Sequence, residues 1–106
     1  MTNKIENIKR HSELSEKAIE RYLCKRVVEE GGLCLKYSSF TDTGYPDRLV
    51  MFSGICFWVE LKSKGKKTTK LQEYRISRIR SLGFSVYVCD SKEKIDCILK
   101  ELGGEL

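Results

Sequence analysis

An α/β fold, a mixed β-sheet flanked by helices in the order αβββαβα, follows from three features of the sequence. Two short apolar runs, Arg48 to Phe52 and Ile55 to Leu61, abut at Ser53-Gly54 in the manner of a hairpin. Longer stretches with capping residues and Gly stops stand before and after that hairpin. A further short apolar run, Phe84 to Cys89, lies between the last two helical stretches, so helices and strands intersperse.

The elements can be justified in order. Residues 1 to 11 are polar and read as a loose arm. A helix is expected from Leu14 to about Glu30, with Ser12 as N-cap and Gly31-Gly32 as its stop. Leu33 to Ser38 reads as a strand, and Phe40 to Pro46, with its Thr, Asp and Gly, as a loop. The hairpin follows, expected to be a buried one. Ser63 to Lys67 is a basic loop, with Gly65 expected to leave it mobile. Thr69 to Leu82 is a helix ending at Gly83, and Lys92 to Leu102 is the last helix. The 106 residues suit a single domain with a modest core.

Composition narrows the classes. A hydrophobic fraction of 41% and a charged fraction of 33% describe a globular chain. No apolar run approaches the roughly 20 residues of a membrane span. The N-terminal stretch lacks the apolar segment of a signal peptide, so a cytoplasmic location is expected. Five cysteines, at 24, 34, 56, 89 and 97, are odd in number and without CxxC spacing. Each has apolar neighbours and reads as a reduced core thiol. With His11 as the single histidine, a zinc site or a Cys–His nucleophile pair is disfavoured.

The charge is uneven. Residues 60 to 80 carry eight basic against two acidic residues, a net +6, which leaves −1 for the rest of a chain of net +5. Charge alone is compatible with a solvated loop and helix face, or with a surface for a polyanion.

The hairpin supplies the chemistry. With the turn centred on Ser53-Gly54, opposed residue numbers sum to 107: Val50 faces Phe57, Arg48 faces Val59, and one step further Asp47 meets Glu60. Opposed residues have Cβ atoms about 4.5–5.5 Å apart. Lys62, two residues beyond Glu60, points the same way. Two carboxylates that close repel, and one is driven toward protonation unless a cation sits between them. Hard oxygen ligands suit Mg²⁺ or Mn²⁺, and such an ion can lower the pKa of a water and polarise a phosphoryl oxygen. Lys62 is placed to orient the water or to offset charge developing in the transition state. Taken singly, each of the three is an ordinary strand-end or turn residue; their joint placement favours a site.

Pro46-Asp47 followed by Glu60-Leu61-Lys62 resembles the signature of PD-(D/E)XK nucleases, which have a restriction-endonuclease-like fold. The wider pattern is similar to the VRR-NUC branch, the virus-type replication-repair nuclease domain. Its helix glutamate, Gly-Gly pair, G-x-PD, E-x-K and helix glutamine fall here at Glu20, Gly31-Gly32, Gly44 to Asp47, Glu60 to Lys62 and Gln72. The match runs from residue 20 to about 90, and stand-alone forms of this size look like phage proteins, which would place the chain in a host cytoplasm. Tyr45 is bulkier than some residues at its place.

The resemblance implies a Mg²⁺- or Mn²⁺-dependent endodeoxyribonuclease, able to nick or cut DNA, branched DNA included. Asp47 and Glu60 would hold the metal, with the Leu61 backbone carbonyl as a further ligand and Lys62 acting on the water. Glu20 shares a helix face with Leu23, Cys24 and Val27; it reads either as a metal contact through water or as a rim glutamate, and the resemblance favours the former. Gln72 completes a Thr69-x-x-Gln72 capping box, yet aligns with Ile76 and Ile79 toward the sheet, and the resemblance favours a site role. Lys36 shares a face with Cys34 and Ser38 and points either into the cleft or to solvent. Trp58 reads as core under a helix. Lys64, Lys66, Lys67, Lys70, Arg75 and Arg78 would hold DNA phosphates, which fix register without reading sequence. Cutting both strands needs two sites, so a C2 homodimer is expected. The competing reading is a DNA-binding or scaffold protein that kept the fold without cutting; the intact Asp47, Glu60 and Lys62 argue against it.

Overall fold

The computed structural model describes residues 14–103. The expected arm over residues 1 to 11 and the Ser12 cap lie outside them. Helix α1 (Glu16–Glu29) opens on Ser15 instead, whose side chain accepts a hydrogen bond from the Ala18 N–H at 3.2 Å. Strand β1 (Leu33–Lys36) follows, then β2 (Arg48–Phe52), β3 (Ile55–Leu61), α2 (Lys70–Ser81), β4 (Val86–Cys89) and α3 (Lys92–Glu101).

The sheet has the order β1-β2-β3-β4, antiparallel through β1, β2 and β3 and parallel between β3 and β4. The hairpin register is the one the 107 sum requires, with Arg48 opposite Val59 and Val50 opposite Phe57. Strand alternation then divides the side chains between two faces. On one face Val50, Phe52, Phe57, Val59, Leu61 and Cys89 pack under α1 and α3, which contribute Ile19, Leu23, Val27, Ile95 and Leu99. The spacing of four in each helix set is that of one helical stripe. Truncating Leu23 or Ile95, both almost fully buried, would cost about 2–5 kcal/mol. Gly32 lets α1 turn tightly into the sheet: a Cβ there would lie 2.5 Å from the Met51 carbonyl oxygen.

The opposite face is only half covered. There α2 lays Ile76 and Ile79 on Val86, with the partly buried Trp58, Tyr45 and Val88 beside them, so Trp58 packs under a helix as expected but is only partly buried. The other half, Leu33, Leu35 and Met51, is 56%, 45% and 40% exposed. The hairpin is therefore buried on both sides only near its open end, because the 12 residues of α2 pack on β4, on Trp58 of β3 and on Tyr45. This also corrects the reading of five core thiols. Cys89 is buried and Cys24 and Cys34 are partly so, whereas Cys56, on the uncovered face, and Cys97, on the outside of α3, are exposed. The Cys24 thiol donates to the Cys34 sulfur at 3.2 Å, and burial together with that neighbour pushes the Cys34 thiol up to about 12.

Two strands are shorter than expected. β1 stops at Lys36, although the Tyr37 N–H still donates to the Asp47 carbonyl at 2.8 Å. β4 begins at Val86, since Gly83, at φ +96°, turns the chain and leaves Phe84 at the surface. No helix among the described residues is long and apolar enough to cross a membrane.

Candidate active site

Three segments meet at the open end of the hairpin. Pro46 is fully buried and fixes the approach to Asp47. Gly44, at φ +88°, brings the preceding loop against α2, where a Cβ would lie 2.7 Å from Leu71 Cγ. The Asp47 carboxylate then accepts the Leu61 N–H at 3.1 Å, which locks it to the end of β3. Glu60 and Lys62 leave β3 on the same face as Asp47, and both are buried, at 1% and 6% exposure.

Carboxylate oxygens of Asp47, Glu60 and Glu16 lie within 4.8 Å of one another. Lys62 Nζ stands 3.9 Å from Glu60 Oε1, and Gln72 Nε2 donates to that oxygen at 3.3 Å. The other oxygen, Glu60 Oε2, is buried and meets no donor among the described residues. Its carboxylate neighbour Asp47 can serve it only by sharing a proton. Burial first, then the charge and hydrogen bonding of Asp47, with a smaller push from Glu16, raise the Glu60 carboxyl to about 8 against the pull of Lys62. A buried acceptor without a donor, among three carboxylates and one ammonium, is a cavity for a hard cation in its donor chemistry. The residues present fit a divalent ion.

The structure unites Asp47, Glu60, Lys62 and Gln72, all proposed from sequence, and Leu61 lies between two of them. Gln72 fills both of its readings at once. Its Oε1 accepts the Thr69 N–H at 2.9 Å, its own N–H reaches Thr69 Oγ1, and the Nε2 remains for Glu60. Glu20 is placed differently. It ion-pairs with Arg48 at 3.1 Å, and Arg48 points to the α1 side of the sheet, since neighbours along a strand face opposite ways. The glutamate beside Asp47 and Glu60 is Glu16, one turn earlier on α1, which sequence reading missed. Its position in the first turn is what any helix N-terminus favours, so only the docking of α1 against the hairpin end singles it out.

The basic residues separate likewise. Lys64, Lys66, Lys67 and Lys70 are exposed in the segment that follows Lys62. Their loop is anchored: the Lys64 N–H donates to the Leu14 carbonyl, and Gly65, at φ +78°, donates its N–H to Asp90. That replaces the expected mobile loop. Arg78 is exposed and bonds Ser81. Arg75 is occupied within the protein, donating to the Thr43 carbonyl at 3.1 Å with its guanidinium 4.6 Å from the Tyr45 ring centre. It braces the loop that delivers Asp47. Lys36 is exposed at the end of β1.

No protein-family model matches the sequence. A protein named "Putative nuclease p44", from Acyrthosiphon pisum secondary endosymbiont phage 1, is 37% identical over 81 residues, 76% of this chain and 87% of that protein. A solved structure described as "VRR_NUC domain" superposes with a TM-score of 0.76 at 30% identity, over 80% of this chain and 94% of the other. The fold, the paired carboxylates with their lysine and these two likenesses agree: this chain belongs to the VRR-NUC family of nuclease domains.

Proposed function

We propose that the protein is a Mg²⁺- or Mn²⁺-dependent endonuclease that nicks or cuts DNA by phosphodiester hydrolysis, with branched DNA among its substrates. The observation that carries this reading is that Glu60 Oε2 is buried in a three-carboxylate cluster with no donor among the described residues, while Lys62 stands 3.9 Å from the other Glu60 oxygen. Asp47, Glu60 and Glu16 would hold the ion, the Leu61 carbonyl would complete its protein ligands, and Glu20 would act only indirectly, by fixing Arg48 next to Asp47. When bound, the ion would supply Lewis acidity to a phosphate oxygen and lower the pKa of a water.

The chain's own groups do the rest. Lys62 directs its ammonium at the water and the developing negative charge. Gln72 holds one Glu60 oxygen still, leaving the other for the ion. Lys64, Lys66, Lys67, Lys70 and Arg78 bind phosphates flanking the cut. Paired cuts require two sites, so the working unit is a C2 homodimer. A phage-encoded relative supports a setting in host cytoplasm.

The test is direct. Linear, flapped and four-way DNA are incubated with the protein and Mg²⁺, Mn²⁺ or EDTA, and resolved on a gel. Cleavage with either metal and none with EDTA is expected. DNA that is bound but uncut under every condition would make the protein a binding module.

A further inference from the structure

A second cavity opens beside the carboxylates. It has a volume of about 220 Å³ and lies between the β1–β2 loop and Asp47, which it shares with the active site. One wall is Tyr37, held by edge-to-face contacts with Tyr45 at 6.0 Å and Trp58 at 5.3 Å between ring centres. Its ring is thus fixed from behind, yet Tyr37 remains 40% exposed. Ser38, Ser39 and Thr43 add hydroxyl groups to the lining, and Asp42 and Asp47 add carboxylates, with no lysine or arginine among the lining residues. Between Ser39 and Asp42, Phe40 stands completely exposed.

Each feature bears on the ligand. Asp42 is paired with Arg75 at 4.0 Å, and that guanidinium is engaged with Thr43 and Tyr45, so the lining itself offers a phosphate no cation. Hydroxyl and carboxylate acceptors suit the ring N–H and amino groups of a neutral heterocycle, and a rigid exposed ring suits its π face. The shared Asp47 puts the cavity within one nucleotide of a phosphate bound at Glu60. An apolar ring exposed on a loop tip, next to such a cavity, matches the side chains that stack against unpaired or kinked base steps. A paired base cannot enter, because its edge is occupied and its faces are stacked.

We infer that this cavity receives one unpaired nucleobase of the strand being cut, stacked on Tyr37, while Phe40 stacks outside it on the neighbouring base. The inference rests on the nuclease reading and deepens it: the protein recognises a branch through an extruded base adjoining the cut. Arg75 is a positioning residue here, since its bond to the Thr43 carbonyl and its contact with Tyr45 hold the loop in shape.

The experiment uses two DNAs of one sequence, one fully paired and one with a single unpaired 2-aminopurine at a junction. Binding is followed by 2-aminopurine fluorescence with Ca²⁺ replacing Mg²⁺, and KM for cutting is measured separately with Mg²⁺. Wild type and Tyr37→Phe should quench the probe on binding. Tyr37→Ala should abolish the quench and raise KM about tenfold on the junction but not on paired DNA. Phe40→Ala, at a residue without packing to lose, should raise KM several-fold on the junction alone and keeps the test valid if Tyr37→Ala fails to fold. A quench that is absent in wild type or persists in Tyr37→Ala, or a KM that rises equally on both DNAs, overturns the inference. A wild type that quenches through Tyr37 but cuts neither DNA would sink the nuclease reading and leave this site standing.

Discussion

Glu20 and Glu60 sit on either face of the same end of the sheet, and each has a basic neighbour. Glu20 meets Arg48 at 3.1 Å, and Arg48 also donates to the Cys34 carbonyl, so that cluster closes on itself. Glu60 has Lys62 at 3.9 Å, but also Asp47 and Glu16, and one of its oxygens has no donor among the described residues. The first arrangement is balanced and needs nothing more. The second carries surplus negative charge in a buried place, which a fold tolerates only with a proton or a cation there. Two glutamates that each have a basic neighbour therefore differ in role because of what else converges on them.

The largest effect that would break this contrast is on catalysis. Asp47→Asn or Glu60→Gln should lower metal-dependent cleavage by about a thousandfold or more, the scale on which central electrostatic groups act. Neither should unfold the protein. The folded state holds the Glu60 proton to about pH 8, whereas the unfolded chain releases it near its usual 4.5. Metal-free stability thus falls as pH rises between those values. Glu60→Gln should remove that fall, and its melting temperature at pH 8 should equal or exceed that of wild type. Cleavage near the wild-type rate in either variant would contradict the site.

Next in size is Lys62→Ala. It should lose about a hundredfold in cutting while Mn²⁺ binding by calorimetry persists, because an ammonium is no ligand. Loss of metal binding with the fold intact would give Lys62 another role.

The contrast itself is sharpened by comparing Glu16→Gln with Glu20→Gln. Glu16→Gln should weaken Mn²⁺ binding with little change in melting temperature. Glu20→Gln should do the reverse, costing about 1 kcal/mol of stability by removing one charge of a partly buried ion pair and leaving metal affinity nearly unchanged. Reversed outcomes would return Glu20 to the metal.

The smallest effect is on DNA binding. Replacing Lys64, Lys66 and Lys67 with alanine should weaken binding to all sequences alike. The slope of log K against log salt should drop by about 0.9 for each phosphate that a lysine no longer neutralises. DNA affinity at several salt concentrations, with Ca²⁺ to suppress cutting, checks this. An unchanged slope would place the DNA path elsewhere.

The hairpin was legible in the sequence because its turn fixes its register, and register fixes which residues oppose. Asp47, Glu60 and Lys62 follow from that arithmetic, and Gln72 from its helical alignment with Ile76 and Ile79 together with the family resemblance. Glu16 was not legible, since nothing local says which end of α1 docks near Asp47; that depends on long-range packing of Ile19, Leu23 and Val27. Glu20 was misleading for the same reason, its partner being 28 residues away. Arg75 read as a phosphate ligand from charge and spacing, although its partners lie in a loop 30 residues earlier. The half-covered sheet face was hidden too, because apolar alternation marks a face that can be buried without saying how far a helix extends over it.

Whether Glu60 awaits a cation is read most directly by Mn²⁺ titration calorimetry at pH 6 and pH 8, on wild type and Glu60→Gln. Wild type should bind more tightly at pH 8 and release close to one proton per ion at pH 6, where Glu60 is still protonated, while Glu60→Gln should show no comparable binding at either pH. Binding by Glu60→Gln equal to wild type, or wild-type affinity that does not change with pH, would contradict the claim.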